Sequence, residues 1–520
     1  MTTLSLATVL AEAARRHPDK VAVVDGPDRV TYRELWGQAL AYAAGLRELG
    51  IGPGDTVAIQ LPNVVDFPRV YYAVLATGAT IVPMHLLLTP EENAFVLRDS
   101  GARLLVAHSS QLAGAAAAGR LAGVDVVSVG PTAGVTRLED VSATVEPLRT
   151  YVSRQADHVA VVFYTSGTTG RPKGALLTHL NLVMNTMVNV FDIHDLRGDD
   201  VVMGCLPLFH TFGQTVGMNG TFRLGGTIVL LARFSGEAAI DLMVRENVTI
   251  FHGVPTMYIG LLEAAAKADR LPELRLCVSG GASLPVAVLE RFNEVFHAGV
   301  FEGYGLSETS PTATTNQPAF GTRPGTVGHP IWGVEVEIAR PELEDRIELL
   351  STGELGEIVI RGHNVFAGYL NDPEATAQAI VDGWFRSGDL GSKDADGFIT
   401  IVDRKKDLVI RGGFNVYPRE VEEVLARHPA VQQVAVIGVP DPVHGEEICA
   451  VVVPDPGGIT AQELIEWSKE HVGRHKYPRQ VRFVESLPLG PSLKVLKREL
   501  RKTFGGTESA APPASTQEAG

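Results

Sequence analysis

The chain has 520 residues, 45% of them apolar and 20% charged, with 45 Lys plus Arg against 60 Asp plus Glu for a net charge of −15. That length is too great for one hydrophobic core and predicts several domains. The composition excludes a disordered chain, and the acidic balance excludes nucleic acid or an anionic membrane as the main partner. Cys205, Cys277 and Cys449 lie far apart with no CxxC pair, which rules out a disulfide framework or zinc site and suits a reducing cytosol.

The opening MTTLSLATVLAEAARRHPDK lacks a basic start followed by a long apolar core, so no secretory leader is expected. Leu6 to Arg16 has amphipathic spacing, Val21–Val24 reads as a strand, and Thr31-Tyr-Arg-Glu34 opens a helix with a capping box. Val57–Gln60, Ile81–Pro83 and Leu104–Ala107 read as further strands. Strands alternating with helical patterns predict α/β layers with parallel strands. Two long uncharged runs, 71–88 and 201–222, are broken by Gly78, Pro83 and His85 and by Pro207, His210 and several glycines. Buried core elements fit them better than membrane spans, and no membrane insertion is expected.

The apolar run His158–Tyr164 reads as a strand that leads into YTSGTTGRPKG, residues 164–174. Gly167, Gly170 and Gly174 leave the backbone free to turn. The hydroxyls of Thr165, Ser166, Thr168 and Thr169, with exposed backbone N–H groups, suit a phosphate-accepting concavity, and Lys173 adds a positive charge. The run is not a Walker A loop, because Pro172 precedes the lysine and Gly174 follows it, leaving no hydroxyl placed for magnesium there.

The α/β rhythm continues through Val201–Leu206, Thr227–Leu231, Thr249–Phe251 and Arg275–Ser279. Gly280, Gly281, Ala282 and Ser283 then form a glycine turn of a kind that lets a flat ring approach the backbone, and Glu302-Gly303-Tyr304-Gly305-Leu306-Ser307-Glu308 follows. After about residue 330 the strand runs become short and close together, at Val334–Ile338, Gly356–Arg361, Phe398–Val402 and Asp407–Ile410, which predicts a small antiparallel subdomain. Between them Trp384-Phe-Arg-Ser-Gly-Asp389 sets a carboxylate after a Ser-Gly turn. From 417 a βα pattern returns, with a helix over Pro418–Arg427 and strands at Val434–Gly438 and Glu447–Val453. This predicts a compact α+β unit of about a hundred residues, and the polar tail from 504 is expected to be disordered.

The string TSGTTGRPKG, with the turn at 280–283, the motifs at 302–308 and 384–389 and the C-terminal LPLGPSLKVLKREL of residues 487–500 in this order, resembles the adenylate-forming superfamily of acyl-CoA synthetases, peptide-synthetase adenylation domains and luciferases. The resemblance runs from about residue 10 to 503. It implies a large N-terminal domain over 1–404, built of layered α/β subdomains with a small β-rich subdomain, and a small mobile C-terminal α+β domain over 405–503. ATP, Mg2+ and coenzyme A are the implied cofactors, and a small-molecule carboxylic acid is the implied substrate.

By resemblance the loop residues Thr165, Ser166, Gly167, Thr168, Thr169, Gly170 and Lys173 hold phosphates, and Thr165 and Glu308 hold magnesium. Gly281, Ala282, Ser283, Glu302, Gly303, Gly305 and Ser307 surround the nucleotide, Tyr304 stacks on adenine, and Asp389 and Arg404 meet the ribose. Lys494 in the family reaches the α-phosphate and the substrate carboxylate, Lys406 is the hinge, and Gly412, Gly413 and Phe414 serve the thioester step. One departure stands out, because Leu493 occupies a place where the family usually carries glycine, whose backbone freedom leucine lacks.

Leu206-Pro-Leu-Phe-His-Thr-Phe-Gly213 resembles the segment facing the acyl pocket, with His210 able to orient the carboxylate end or simply to pack. The expected pocket lining of His210, Val254, Pro255, Gly281, Gly303 and Leu306 is apolar apart from the histidine, and the segments beside it carry no aspartate to hold an amino-acid ammonium. Such a cavity suits a hydrophobic acid, fatty or bulky and cyclic. An acyl-CoA synthetase leads; a stand-alone adenylation enzyme that loads a carrier protein, and a half-reaction variant impaired in adenylation, stay open.

Overall fold

A computed structural model describes residues 3–166, 172–490 and 494–505, without the side chain of Ser166. Gly167, Thr168, Thr169, Gly170, Leu493 and the tail beyond Gly505 lie outside the described residues. The chain divides into two compact units, 1–401 with 491–494, and 402–490 with 495–520. The division falls inside the strand Ile399–Arg404, where the sequence reading set the boundary after Arg404.

Two large sheets build the first unit. The nine-stranded sheet runs in spatial order His329–Pro330, Thr312–Thr315, Val300–Gly305, Leu276–Ser279, Ile250–Gly253, Val201–Gly204, Thr227–Leu230, Val21–Asp25 and Asp28–Thr31. Its centre is parallel, and Ile250–Gly253 and Leu276–Ser279 are buried at every residue, as expected of strands covered on both faces. The six-stranded sheet runs Asp125–Val129, Leu104–His108, Thr56–Gln60, Thr80–Pro83, Val159–Ser166 and Pro172–Thr178. Its last two strands pair antiparallel and align Thr165 with Lys173.

Local chemistry sets the element ends. Thr31 accepts a hydrogen bond from the Glu34 N–H while the Glu34 carboxylate accepts from the Thr31 N–H, completing the expected capping box. The first uncharged run becomes the helix Asp66–Thr77, ended by Gly78 at φ +81°, and the strand Thr80–Pro83. The second becomes the strand Val201–Gly204 and a π-helix over Phe212–Asn219, where the sequence pattern led to expect an ordinary α/β step. Among the described residues no helix is long and apolar enough to cross a membrane.

The antiparallel subdomain forms from Val334–Ala339, Gly356–Gly362, Trp384–Lys393 and Ile380–Val381, with Ile399–Arg404 beside Trp384–Lys393, whereas the expected fourth run, Asp407–Ile410, becomes the strand Val409–Arg411 of the second unit's sheet. The second unit is a sheet of Phe414–Val416, Val409–Arg411, Gly445–Pro454, Val431–Asp441 and Gln480–Phe483. The helices Pro418–Leu425 and Ala461–His471 pack on it around Val436, Ile448, Val452 and Leu464.

Candidate active site

The carboxylate of Glu308 is the first focus of the site. It sits on the short turn Ser307–Thr309, 8% exposed. Its Oε1 accepts from the Tyr369 hydroxyl at 2.9 Å and lies 3.5 Å from Thr165 Oγ1. Burial, and then the Glu308 charge, push the Tyr369 phenol far up, so it stays a donor. Across the strand pair, Lys173 Nζ lies 3.6 Å from the Asp372 carboxylate and 5.3 Å from the centre of the Tyr369 ring.

A second pair forms where Tyr304 donates to Asp389 Oδ2 at 2.6 Å, with 9% and 4% of the two side chains exposed. Tyr304 lies on Val300–Gly305, a strand the sequence reading left as a motif without an element. Asp389 comes from a bulge, since Arg386 faces Val359 and Leu390 faces Glu357, leaving three residues of this strand opposite Ile358. Gly388 takes φ +72° there and the Ser387 hydroxyl donates to the Ile358 carbonyl, which turns the carboxylate inward.

The remaining parts of the first unit converge on one pocket. Buried Glu302 accepts from the Leu284 N–H at 3.2 Å and so ties its strand to the 280–284 turn. Thr211 donates to Ser307 Oγ at 3.2 Å. Gly281 holds φ +83°, and a Cβ there would sit 2.9 Å from Lys494 Cε. His210, Val254, Gly281 and Lys494 line this pocket with Leu206, Pro207, Phe212 and Gly213. Burial, then the charge of Lys494 and the nearby His85, hold the His210 imidazole down at about 3. A neutral imidazole and a lysine ammonium thus face an otherwise apolar space, an arrangement able to receive a carboxylate.

Pro255, Gly303 and Leu306 do not line it. Pro255 begins the helix Pro255–Ala265, Gly303 faces Thr315 across the strand pair, and Leu306 packs on the main core. Ala282 and Ser283 lie on the turn with Gly281, and Gly305 ends its strand. Phe212 and Tyr369 were missed by sequence reasoning. The aromatic spacing in Phe209-His-Thr-Phe212 offered a signal for the first, and nothing around Gly368-Tyr369 did for the second.

In the second unit Arg404 and Lys406 are exposed, and the Asp407 N–H closes a tight turn onto the Arg404 carbonyl. Gly412 and Gly413, at φ +55° and +83°, make the two-residue turn between Arg411 and Phe414, the conformation a hairpin with Gly-Gly at its centre requires. Phe414 is 60% exposed.

The family of AMP-binding enzymes matches residues 10–370, and the AMP-binding enzyme C-terminal domain matches residues 420–494. The chain is 39% identical to feruloyl-CoA synthase of Amycolatopsis sp., over 95% of this chain and 97% of that protein. It is 34% identical to the long-chain-fatty-acid–CoA ligase of Bacillus subtilis strain 168, over 95% and 94%. ATP-bound MatB from Rhodopseudomonas palustris superposes with a TM-score of 0.87 at 35% identity, covering 96% of this chain and 99% of that one. The chain therefore belongs to the AMP-binding enzymes of the adenylate-forming superfamily. Its activity is that of an acid–thiol ligase of the acyl-CoA synthetase class, with ATP, Mg2+ and coenzyme A as cofactors.

Proposed function

We propose that the enzyme activates a hydrophobic carboxylic acid, aromatic or fatty, as its acyl adenylate and passes the acyl group to coenzyme A. The observation that carries this reading is the pocket of Leu206, Phe212 and Val254, apolar except where His210 and Lys494 meet. The names of two relatives, a feruloyl-CoA synthase and a long-chain-fatty-acid–CoA ligase, support both kinds of acid.

A carboxylate is a weak electrophile, and its attack on ATP brings two anions together. Its oxygen bonds to the α-phosphorus while the bond to pyrophosphate breaks. Lys494 offsets the charge that develops at the α-phosphate, and neutral His210 orients the acid without repelling the lysine. The hydroxyl of Thr165 and the carboxylate of Glu308 are hard oxygens on facing segments and fit magnesium, which prefers such donors and keeps several waters. Bound there, the ion supplies charge neutralisation on the phosphates.

Tyr304 presents its ring to adenine and Asp389 accepts from the ribose hydroxyls. Lys173 serves the phosphates from its strand. In the second step the thiol sulfur attacks the acyl carbon and AMP leaves with the mixed-anhydride oxygen. In the second unit, Arg404 is assigned to the ribose, Lys406 to the hinge and Gly412, Gly413 and Phe414 to the thioester step.

Carboxylate-dependent exchange of pyrophosphate into ATP, run over aliphatic, aromatic and polycyclic acids, tests the first step, and thioester formation on the best acid tests the second. Exchange with apolar acids followed by transfer to CoA is expected. Exchange without transfer to CoA, but with transfer to a holo-carrier protein, would overturn the acceptor. Absence of exchange with every acid would overturn adenylation itself and point to Leu493.

A further inference from the structure

Behind the pocket lies a pair of buried histidines that the chemistry above does not use. His252 is the third residue of the fully buried strand Ile250–Gly253, aligned with Val278, which is aligned in turn with Phe301. The apolar face of this row is Val202, Ile250, Leu276 and Val278, closed by Leu196, Phe212 and Phe301. His194, just after the π-turn Asn189–Ile193, meets Phe301 edge-on at 5.2 Å between ring centres. The two imidazoles are 4% and 2% exposed, and a charge on His252 opposes protonation of His194.

Among the described residues each ring presents a nitrogen without a partner, Nε2 of His194 and Nδ1 of His252. A buried polar atom without a hydrogen bond is costly and needs an explanation. Burial keeps the His194 ring neutral, and the Asn316 backbone is the one neighbour that favours its protonated form. A neutral imidazole carries one acceptor nitrogen, and the unpartnered Nε2 is placed to take a hydrogen bond from a donor.

Phe212 connects this pair to the active-site pocket. Its ring lines the pocket beside His210, Gly281 and Lys494, and also lies 6.1 Å from the His252 ring centre. The Phe212 ring thus stands between the carboxylate end of the pocket and the His252 ring. Taking the acyl-CoA synthetase reading as its basis, we propose that the far end of the acyl group passes Phe212 and is read by His194 and His252, so that the enzyme selects acids carrying a neutral hydroxyl there, as a hydroxyaryl acid does. A second carboxylate would enter a largely apolar surround that already feels the Asp200 charge, which burial penalises heavily. A plain alkyl end would leave both nitrogens unsatisfied. A site built around a substrate hydroxyl discriminates strongly against the analogue that lacks it.

The test compares kcat/KM for thioester formation with cinnamic acid and its 4-hydroxy and 4-methyl derivatives, in the full-length protein and in His194→Leu and His252→Leu. The wild type should favour the hydroxyl acid over the methyl acid by about tenfold or more. In each variant that ratio should fall toward one or invert, while thermal unfolding reports whether the fold is kept. Equal rates or a preference for methyl in the wild type would overturn the inference, and so would variants that retain the wild-type ratio. The wild-type comparison decides even where a variant is lost to misfolding. Failure of the reading beneath it has a different mark, namely no thioester from any acid in any of the proteins, and that result would overturn both.

Discussion

Asp389 is held ready at the site by the 2.6 Å hydrogen bond from Tyr304. A bond to a charged acceptor is stronger than a neutral one, so Tyr304→Phe should raise the KM for ATP by about tenfold, with the ring still present to stack. Asp389→Ala, which removes the proposed ribose acceptor altogether, should raise it by about a hundredfold; steady-state kinetics at saturating acid measures both. On the proposed mechanism Lys494 serves the first half-reaction and not the second. Lys494→Ala should abolish pyrophosphate exchange yet spare thioester formation from supplied acyl-AMP, and equal loss of both would refute that division. Glu308 and Lys494 were legible in the sequence because they sit inside recognisable motifs. Tyr369 and Phe212 were not, since the contact that gives each its meaning lies with residues 61 positions before Tyr369 and 40 positions after Phe212.

Strand geometry explains at the element scale why the motif glycines are where they are. Gly305 ends Val300–Gly305, and a Cβ there would drive into the Pro311 carbonyl oxygen. The obstacle is backbone and cannot swing aside, so Gly305→Ala should destabilise the fold by about 2 kcal/mol or more, read as a drop in unfolding temperature. An unchanged unfolding temperature would show that the strand end yields. The Ser387–Asp389 bulge works by insertion instead. Residues added to one strand turn the carboxylate inward, where the sequence showed only a turn signal. The π-helix Phe212–Asn219 also escaped the sequence reading, because hydrophobic periodicity does not separate a wide helical turn from an α-turn over eight residues.

The stability of the whole molecule carries a pH dependence set by histidines buried in neutral form. Burial, as the leading cause, holds His179 at about 4, His194 at about 3 and His252 at about 4. Unfolded, each would take a proton near pH 6.5. Stability is therefore complete above that value and is lost as pH falls from 6.5 through about 4. Each histidine contributes a slope of about 1.4 kcal/mol per pH unit. Unfolding temperature should decline steeply from pH 6.5 to 5, and His179→Gln, whose amide can still accept from the Leu6 N–H, should make the decline shallower. A flat profile would contradict this account.

Local chemistry in the chain determined the class of enzyme, its cofactors and the α/β and antiparallel parts of the fold. Glycine turns, capping boxes, periodicity and five ordered motifs are properties of neighbouring residues, and neighbours are what a sequence displays. Tertiary structure alone decided which of those residues meet. It brought His210, Val254, Gly281 and Lys494 to one pocket, whose lining does not include Pro255, Gly303 or Leu306. It also set His194 and His252 behind Phe212. Side-chain direction and burial depend on which strands pair and what packs over them, and a chain read residue by residue does not contain that information.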